Sequence, residues 1–330
     1  MSKPSRKTVR KMSALQPPAD TSAGGQPTPQ ALLQRLEWTV LKRLDGALQG
    51  DYRTLLRGHG IDLADLREYQ YHDDVRHIDW NVTARLQVPH VRQFTEDREL
   101  CAWFLLDLSP SVDFGSRQRK RSVSEAFVAV MASLVLRHGN RAGAVLYGNT
   151  VDTVLPARSG RRHVLHLIQR MRSRPAATPA GGTRLADLIE RARPTMRQRA
   201  SVFVVSDFIS EDGWEAPLAR LAERHDVIAV RLYDPLEMTM PDLGLVMLQD
   251  SETGEQLFVD TGQRGFRERF AEAAVRREAA LRDALARAGV DTLELSTEVD
   301  LGDAILRFVD ARRQRSRMAA GSMPLARRNA

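Results

Sequence analysis

Residues 101–111, CAWFLLDLSPS, constrain the fold of this chain more than any other stretch. The short apolar run at 102–106 has no polar alternation, so it reads as a strand buried on both faces, the pattern of a parallel sheet covered by helices. It ends in Asp107, Ser109 and Ser111, a D-x-S-x-S pattern. A carboxylate and two hydroxyls just past the carboxyl end of such a strand would face the crevice where α/β sheets hold ligands, and oxygen atoms suit hard cations. Asp and Ser are also ordinary residues of turns and helix N-caps, so the pattern by itself leaves both readings open.

The 330 residues supply enough material for one large domain or two small ones. Cys101 is the single cysteine, which excludes an intramolecular disulfide and reads as a packed thiol in the strand rather than a nucleophile. No apolar run reaches the roughly 18 to 20 residues of a membrane span, so a cytoplasmic protein is expected. The formal charge of +7 raises the question of nucleic acid, and its distribution answers it. Lys3, Arg6, Lys7, Arg10 and Lys11 crowd residues 1–12, and Arg312, Arg313, Arg315, Arg317, Arg327 and Arg328 crowd residues 311–330, with no acid in either segment. Everything between them is mildly acidic. Basic tails draw polyanions loosely, and without interleaved aromatics no specific nucleic-acid recognition is expected.

Residues 1–28, rich in Pro, Gly and small polar side chains, read as a disordered basic leader. Leu32, Leu33, Leu36, Val40 and Leu44 then recur at helical spacing, giving an amphipathic helix that ends near Gly46 and must dock on something. Residues 51–100 suggest irregular β structure around Arg67, Tyr69, Asp73, Asp74, Arg76, Ile78, Asp79, Trp80, Asn81 and Arg85. His72, Asp73, Asp74, His77 and Asp79 have no recognised metal-ligand spacing, and an Arg-carboxylate network is the preferred reading.

Past the Asp107 loop, Ser122 and Glu125 have capping-box spacing ahead of an apolar-faced helix that closes at Gly139. Strands at 142–147 and 151–155 meet at Gly148-Asn149, followed by a basic helix at 161–172 whose His163 and His166 read as packing or surface residues. A Pro-rich loop at 173–182 leads to Thr183, an N-cap or a site residue, and to a helix at 185–193. The strand at 200–205 is again continuously apolar and ends in Ser206-Asp207-Phe208. Two buried strands thus each end in an acid. Further on, a helix at 214–224, a strand at 227–233, a hairpin at 245–260, a long helix at 263–288, a strand at 292–296 and a helix at 301–315 complete an α/β alternation with a mainly parallel sheet.

Asp107, Ser109, Ser111, Thr183 and Asp207 resemble, in order and context, the metal-ion-dependent adhesion site of von Willebrand factor A domains. The run REYQYHDDVRHIDWNVTAR, the DLSPSVDFG loop, the SDF at Asp207 and the later DSETGEQLFVD are similar to the bacterial domain of unknown function 58 family. Tyr71-His72 stands where that family usually has Pro-Gly. The likeness covers about residues 29–317 and implies a family-specific helix and β region (29–100) and a von Willebrand factor A-like domain (101–317), with the disordered basic leader (1–28) before it and a flexible tail (318–330) expected after it. It further implies a magnesium ion, or another hard divalent cation, held by those five residues, and a vacancy that accepts a carboxylate from a partner protein. Family members of this kind are thought to act with MoxR-type AAA+ ATPases as adaptors or co-chaperones, so the partner would be such an ATPase or its client. No enzymatic activity is expected: a metal-dependent phosphatase or hydrolase lacks a general base, nucleophile elbow or phosphate-cradling loop in this sequence. Polyanion binding through the basic tails is the remaining alternative.

Overall fold

The computed structural model describes residues 27–47, 65–70, 75, 78–93, 101–137, 139–148, 150–175 and 182–321. Its centre is a six-stranded sheet built from β3 (Cys101–Asp107), β4 (Arg141–Tyr147), β5 (Val151–Arg158), β6 (Ser201–Ser206), β7 (Asp226–Tyr233) and β10 (Asp291–Ser296). Spatial order is β10-β7-β6-β3-β4-β5, with every neighbouring pair parallel except β4 with β5. Strand order reverses at β3: the chain first moves outward to β4 and β5, then returns to lay β6 on the other side of β3. This switch point is where a doubly wound sheet opens a crevice at its carboxyl edge.

Alternation along the strands explains why both faces are apolar. Phe104 and Leu106 of β3 with Phe203 and Val205 of β6 point to one helical layer, made by the Lys120–Arg137, Arg161–Arg172 and Leu301–Gly321 helices. Trp103 and Leu105 with Val202 and Val204 point to the other, made by the Leu185–Ala192, Glu215–Ala222 and Arg264–Arg287 helices. The N-terminal helix docks on the first layer: Leu32, Leu33, Leu36, Val40, Leu41 and Leu44 are all buried there. It is not one regular helix, since α-helical Pro29–Leu36 and Lys42–Ala47 flank a π-helical turn at Glu37–Leu41.

Several expectations are corrected. Residues 80–86 lie in the stretch read as irregular β, yet Trp80–Leu86 is a helix, because the Asp79 carboxylate caps it by accepting from the Asn81 and Val82 amides. The two short strands β1 (Asp65–Glu68) and β2 (His90–Gln93) pair antiparallel beside it. Asp79 therefore serves as a helix cap, while residues 71–74, 76 and 77, and with them most of the proposed Arg-carboxylate network, lie outside the described residues, as do residues 1–26 of the leader expected at 1–28. Ser122 and Glu125 form no capping box: the helix begins at Lys120, and Glu125 instead accepts from Arg172 Nε at 2.9 Å. The expected tail at 318–330 begins too early, because the last helix runs through Gly321. Within the C-terminal basic cluster, Arg312 is buried and bridges Asp226 Oδ1 at 2.6 Å and Asp291 Oδ2 at 2.9 Å, fastening the last helix to the starts of β7 and β10. That arginine is structural rather than offered to polyanions. Cys101 is partly buried, and burial pushes its thiol pKa up, as for an inert thiol.

Phe203 joins the sheet to the helical layer, stacking on Phe104 at 5.3 Å between ring centroids and meeting Phe127 edge-on at 5.8 Å. Phe203→Ala leaves a ring-sized cavity and is expected to cost about 3–5 kcal/mol. Urea unfolding reads this as a lower midpoint at unchanged slope; a loss under about 1 kcal/mol would mean the core repacks around the gap.

Candidate functional site

Asp107 is the last residue of β3, and parallel pairing in the register Leu106 with Val205 brings Asp207, just past β6, to its side. Both carboxylates are buried, at 0% and 4% exposure, and the charge of Asp207 is near enough to disfavour ionisation of Asp107. Each is held from its own loop. Asp107 Oδ1 accepts from the Ser109 amide at 3.0 Å, and its Oδ2 accepts from Ser206 Oγ at 2.6 Å. Asp207 Oδ1 accepts from the Ile209 amide at 3.0 Å. The turn after Asp207 needs Phe208 at φ +59°, a left-handed conformation that a bulky residue adopts only when its surroundings impose it. Here Phe208 is buried against Trp214, ring centroids 5.3 Å apart.

The hydroxyls come from two loops. Ser109 Oγ and Ser111 Oγ are 3.1 Å apart in the loop after β3, both buried. Thr183 is fixed through its backbone: its carbonyl accepts from Ser210 Oγ at 2.9 Å and from the Glu211 amide at 2.8 Å, in the loop after β6. Next to it the Arg184 amide donates to Tyr147 Oη at 3.0 Å, at the end of β4. Thr183 is not the N-cap of the following helix, a position Arg184 takes; its own Oγ1 donates to Glu252 Oε2 at 2.8 Å. The same Glu252 accepts the Ser111 amide through Oε1 at 3.2 Å. One carboxylate thus links the Asp107 loop to Thr183, and the charge of Asp207 acts on Asp107, so the five residues singled out in the sequence lie on neighbouring, linked loops.

Four further residues complete it that sequence reasoning did not find. Ser206 orients Asp107 as described. Lys120, fully buried, places Nζ 2.6 Å from both Asp207 Oδ2 and Glu237 Oε1. Burial works against its charge, but the two carboxylates outweigh that and hold its pKa above the ordinary value. Glu252 stands in the turn of the hairpin β8 (Leu245–Gln249) and β9 (Gln256–Asp260). Only the DSETGEQLFVD motif signalled it, and its spacing says nothing of where the hairpin folds.

The donor set fits a hard divalent cation. Three neutral hydroxyls can ligate directly while carboxylates hold water, the preference of magnesium. Among the described residues no group of three His, Cys, Asp or Glu side chains is placed to hold a metal, so a cation here would rely on hydroxyl oxygen. Lys120 answers Asp207 and Glu237, whereas Asp107 and Glu252 face no Lys, Arg or His nitrogen at ion-pair distance among the described residues. Buried carboxylates without a counter-charge either take up a proton or are stabilised by a cation.

The family model described as protein of unknown function DUF58 matches residues 65–280. The chain belongs to the DUF58 family. An uncharacterized protein of Mycobacterium tuberculosis, Rv1480, is 38% identical over 287 residues, covering 86% of this chain and 90% of the relative. An uncharacterized protein of Mycobacterium avium is 35% identical over 164 residues, covering 49% of this chain and 95% of its own. Similar solved structures include BatB of Bacteroides thetaiotaomicron, 14% identical with a TM-score of 0.42 over 65% of this chain and 99% of that one. A VWA domain of SpRpn10 is 14% identical with a TM-score of 0.35 over 63% and 94%. The mainly parallel α/β sheet of this DUF58 chain agrees with the von Willebrand factor A-like architecture implied by its sequence. Among the described residues no helix is long and apolar enough to cross a membrane.

Burial first, then the charge of Asp207, raises the Asp107 pKa from 3.8 to about 6, against the opposing hydrogen bonds from Ser206 and Ser109. The folded state therefore holds this proton more tightly than the unfolded chain. Its stabilising effect is complete below about pH 4 and is lost as pH rises through about 6, a change on the order of 2–3 kcal/mol. In chelator, the stability of Asp107→Asn relative to the parent should rise by that amount between pH 4 and pH 7, measured by urea unfolding. A pH-independent difference contradicts the assignment.

Proposed function

We propose that this DUF58 protein is a divalent-cation-dependent protein-binding module. Ser109, Ser111 and Thr183 would hold a magnesium ion directly, and Asp107 and Asp207 would orient its water. The bound ion supplies an electrophilic position that an acidic side chain of a partner can occupy. With few charged groups directly on it, the ion keeps enough positive charge to attract that acid. What carries this reading is the convergence of hydroxyls and carboxylates from three loops at the switch point, with negative charge that the described basic residues do not offset.

The chain's own residues supply orientation. Ser206 and the Ser109 amide aim Asp107; Lys120 and the Ile209 amide aim Asp207. Glu237 keeps Lys120 charged and seated. Asp234 anchors the loop between Ser111 and Lys120 by accepting from the Ser116 amide at 2.7 Å and Ser116 Oγ at 2.8 Å, and from Thr297 Oγ1 at 2.6 Å. Burial opposes its ionisation, but these hydrogen bonds prevail and its pKa lies below the usual carboxylate range.

The family resemblance makes an AAA+ ATPase of the MoxR type, or its client, the proposed partner, with the module acting as adaptor or co-chaperone in the cytoplasm. Calorimetric titration against the MoxR-type ATPase of the same organism should show binding in magnesium that weakens at least about tenfold in chelator and in Asp107→Ala. Equal affinity in all three conditions excludes a cation-dependent grip.

A further inference from the structure

We propose that Glu252 is this chain's own ligand for the cation site: the hairpin carboxylate fills the position meant for an acidic partner, and a partner binds by displacing it. This rests on the cation reading of the preceding subsection and adds the residue that closes the site.

Glu252 is 8% exposed at the tip of a hairpin whose arms are largely in solvent, with Leu245 at 66%, Leu257 at 65% and Phe258 at 71% exposure. A carboxylate at a hairpin tip is ordinarily hydrated; here both oxygens are engaged inside the site, Oε1 by the Ser111 amide and Oε2 by Thr183 Oγ1. Its partners are thus two of the residues that would surround the ion. Such burial of an acid with no basic side chain at ion-pair distance among the described residues is costly unless a cation shares the site.

The turn is shaped to present it. Asp250 Oδ1 accepts from the Glu252 amide at 2.7 Å and the Thr253 amide at 2.9 Å. The Gly254 amide donates to the Asp250 carbonyl at 2.9 Å, and Gly254 at φ +76° occupies a left-handed conformation that glycine adopts without steric cost. The turn can therefore act as a rigid tip. Its support is weaker: β8 and β9 pair only with each other, apart from the six-stranded sheet, and a lone two-stranded ribbon is marginal in water. A firm tip on a lightly held arm suits a ligand that withdraws when a competing carboxylate arrives.

Manganese serves as the probe, read by its affinity and by the water-proton relaxation it produces. The parent protein should bind Mn2+ with lower relaxivity than the variants, and dilute acetate, a weak competitor beside a tethered carboxylate, should leave it unchanged, because Glu252 fills the open position and only the waters under Asp107 and Asp207 remain. Glu252→Ala should bind Mn2+ about tenfold or more weakly, show higher relaxivity per bound ion, and lose that excess on adding acetate. Glu252→Gln, of the same size, should also weaken Mn2+ binding, which keeps the comparison valid if the alanine variant does not fold. Equal affinity, relaxivity and acetate response in parent and variants overturn the role of Glu252 while leaving the cation site standing. Absence of Mn2+ binding in the parent overturns both.

Discussion

Parallel pairing of β3 with β6 forces two carboxylates into one water-poor crevice, and most of the surrounding structure answers that placement. Asp107 and Asp207 repel, so each is steadied separately: Asp107 by Ser206 Oγ and the Ser109 amide, Asp207 by Lys120 and the Ile209 amide. The Lys120 ammonium is expensive to bury, and Glu237 shares its compensation. The left-handed Phe208 and the long reach of Lys120 from the start of its helix make sense as costs of keeping these acids where they are.

How far the sequence disclosed this depends on whether the signal was local. Continuous apolar runs at 102–106 and 200–205 announced buried parallel strands, because two covered faces leave no room for alternation. Acids at both strand ends then placed Asp107 and Asp207 at the switch point. Thr183 was legible only as one of two options, since an N-cap and a site hydroxyl look alike until the backbone is seen. Ser122 and Glu125 failed as a capping box because a partly buried arginine, Arg172, competes for Glu125. Lys120 and Glu252 were illegible for the opposite reason: their partners are far away in sequence, 87 and 69 residues for the bonds to Asp207 and Thr183.

The peripheral elements tell a similar story. Helical spacing of Leu32, Leu36 and Val40 required a docking face, and the layer containing the Lys120–Arg137 helix supplies it. Asp79 looked like part of an acidic cluster but caps a helix that turn-rich composition had concealed. Arg312, counted among basic tail residues, is a buried clamp between β7 and β10. Net charge by segment therefore misjudged the C-terminus, since pairing rather than count decides whether an arginine is available. In this DUF58 chain, the crevice at β3 and β6 is where buried acids and hydroxyls meet.

A crystal structure of the full chain grown with Mn2+, read by anomalous scattering, tests the central claim most directly. The account requires one strong peak in direct coordination to the hydroxyl oxygens of Ser109, Ser111 and Thr183, with Asp107 and Asp207 reaching it through water. A peak elsewhere, or none at saturating Mn2+ with the five side chains in place, would contradict it.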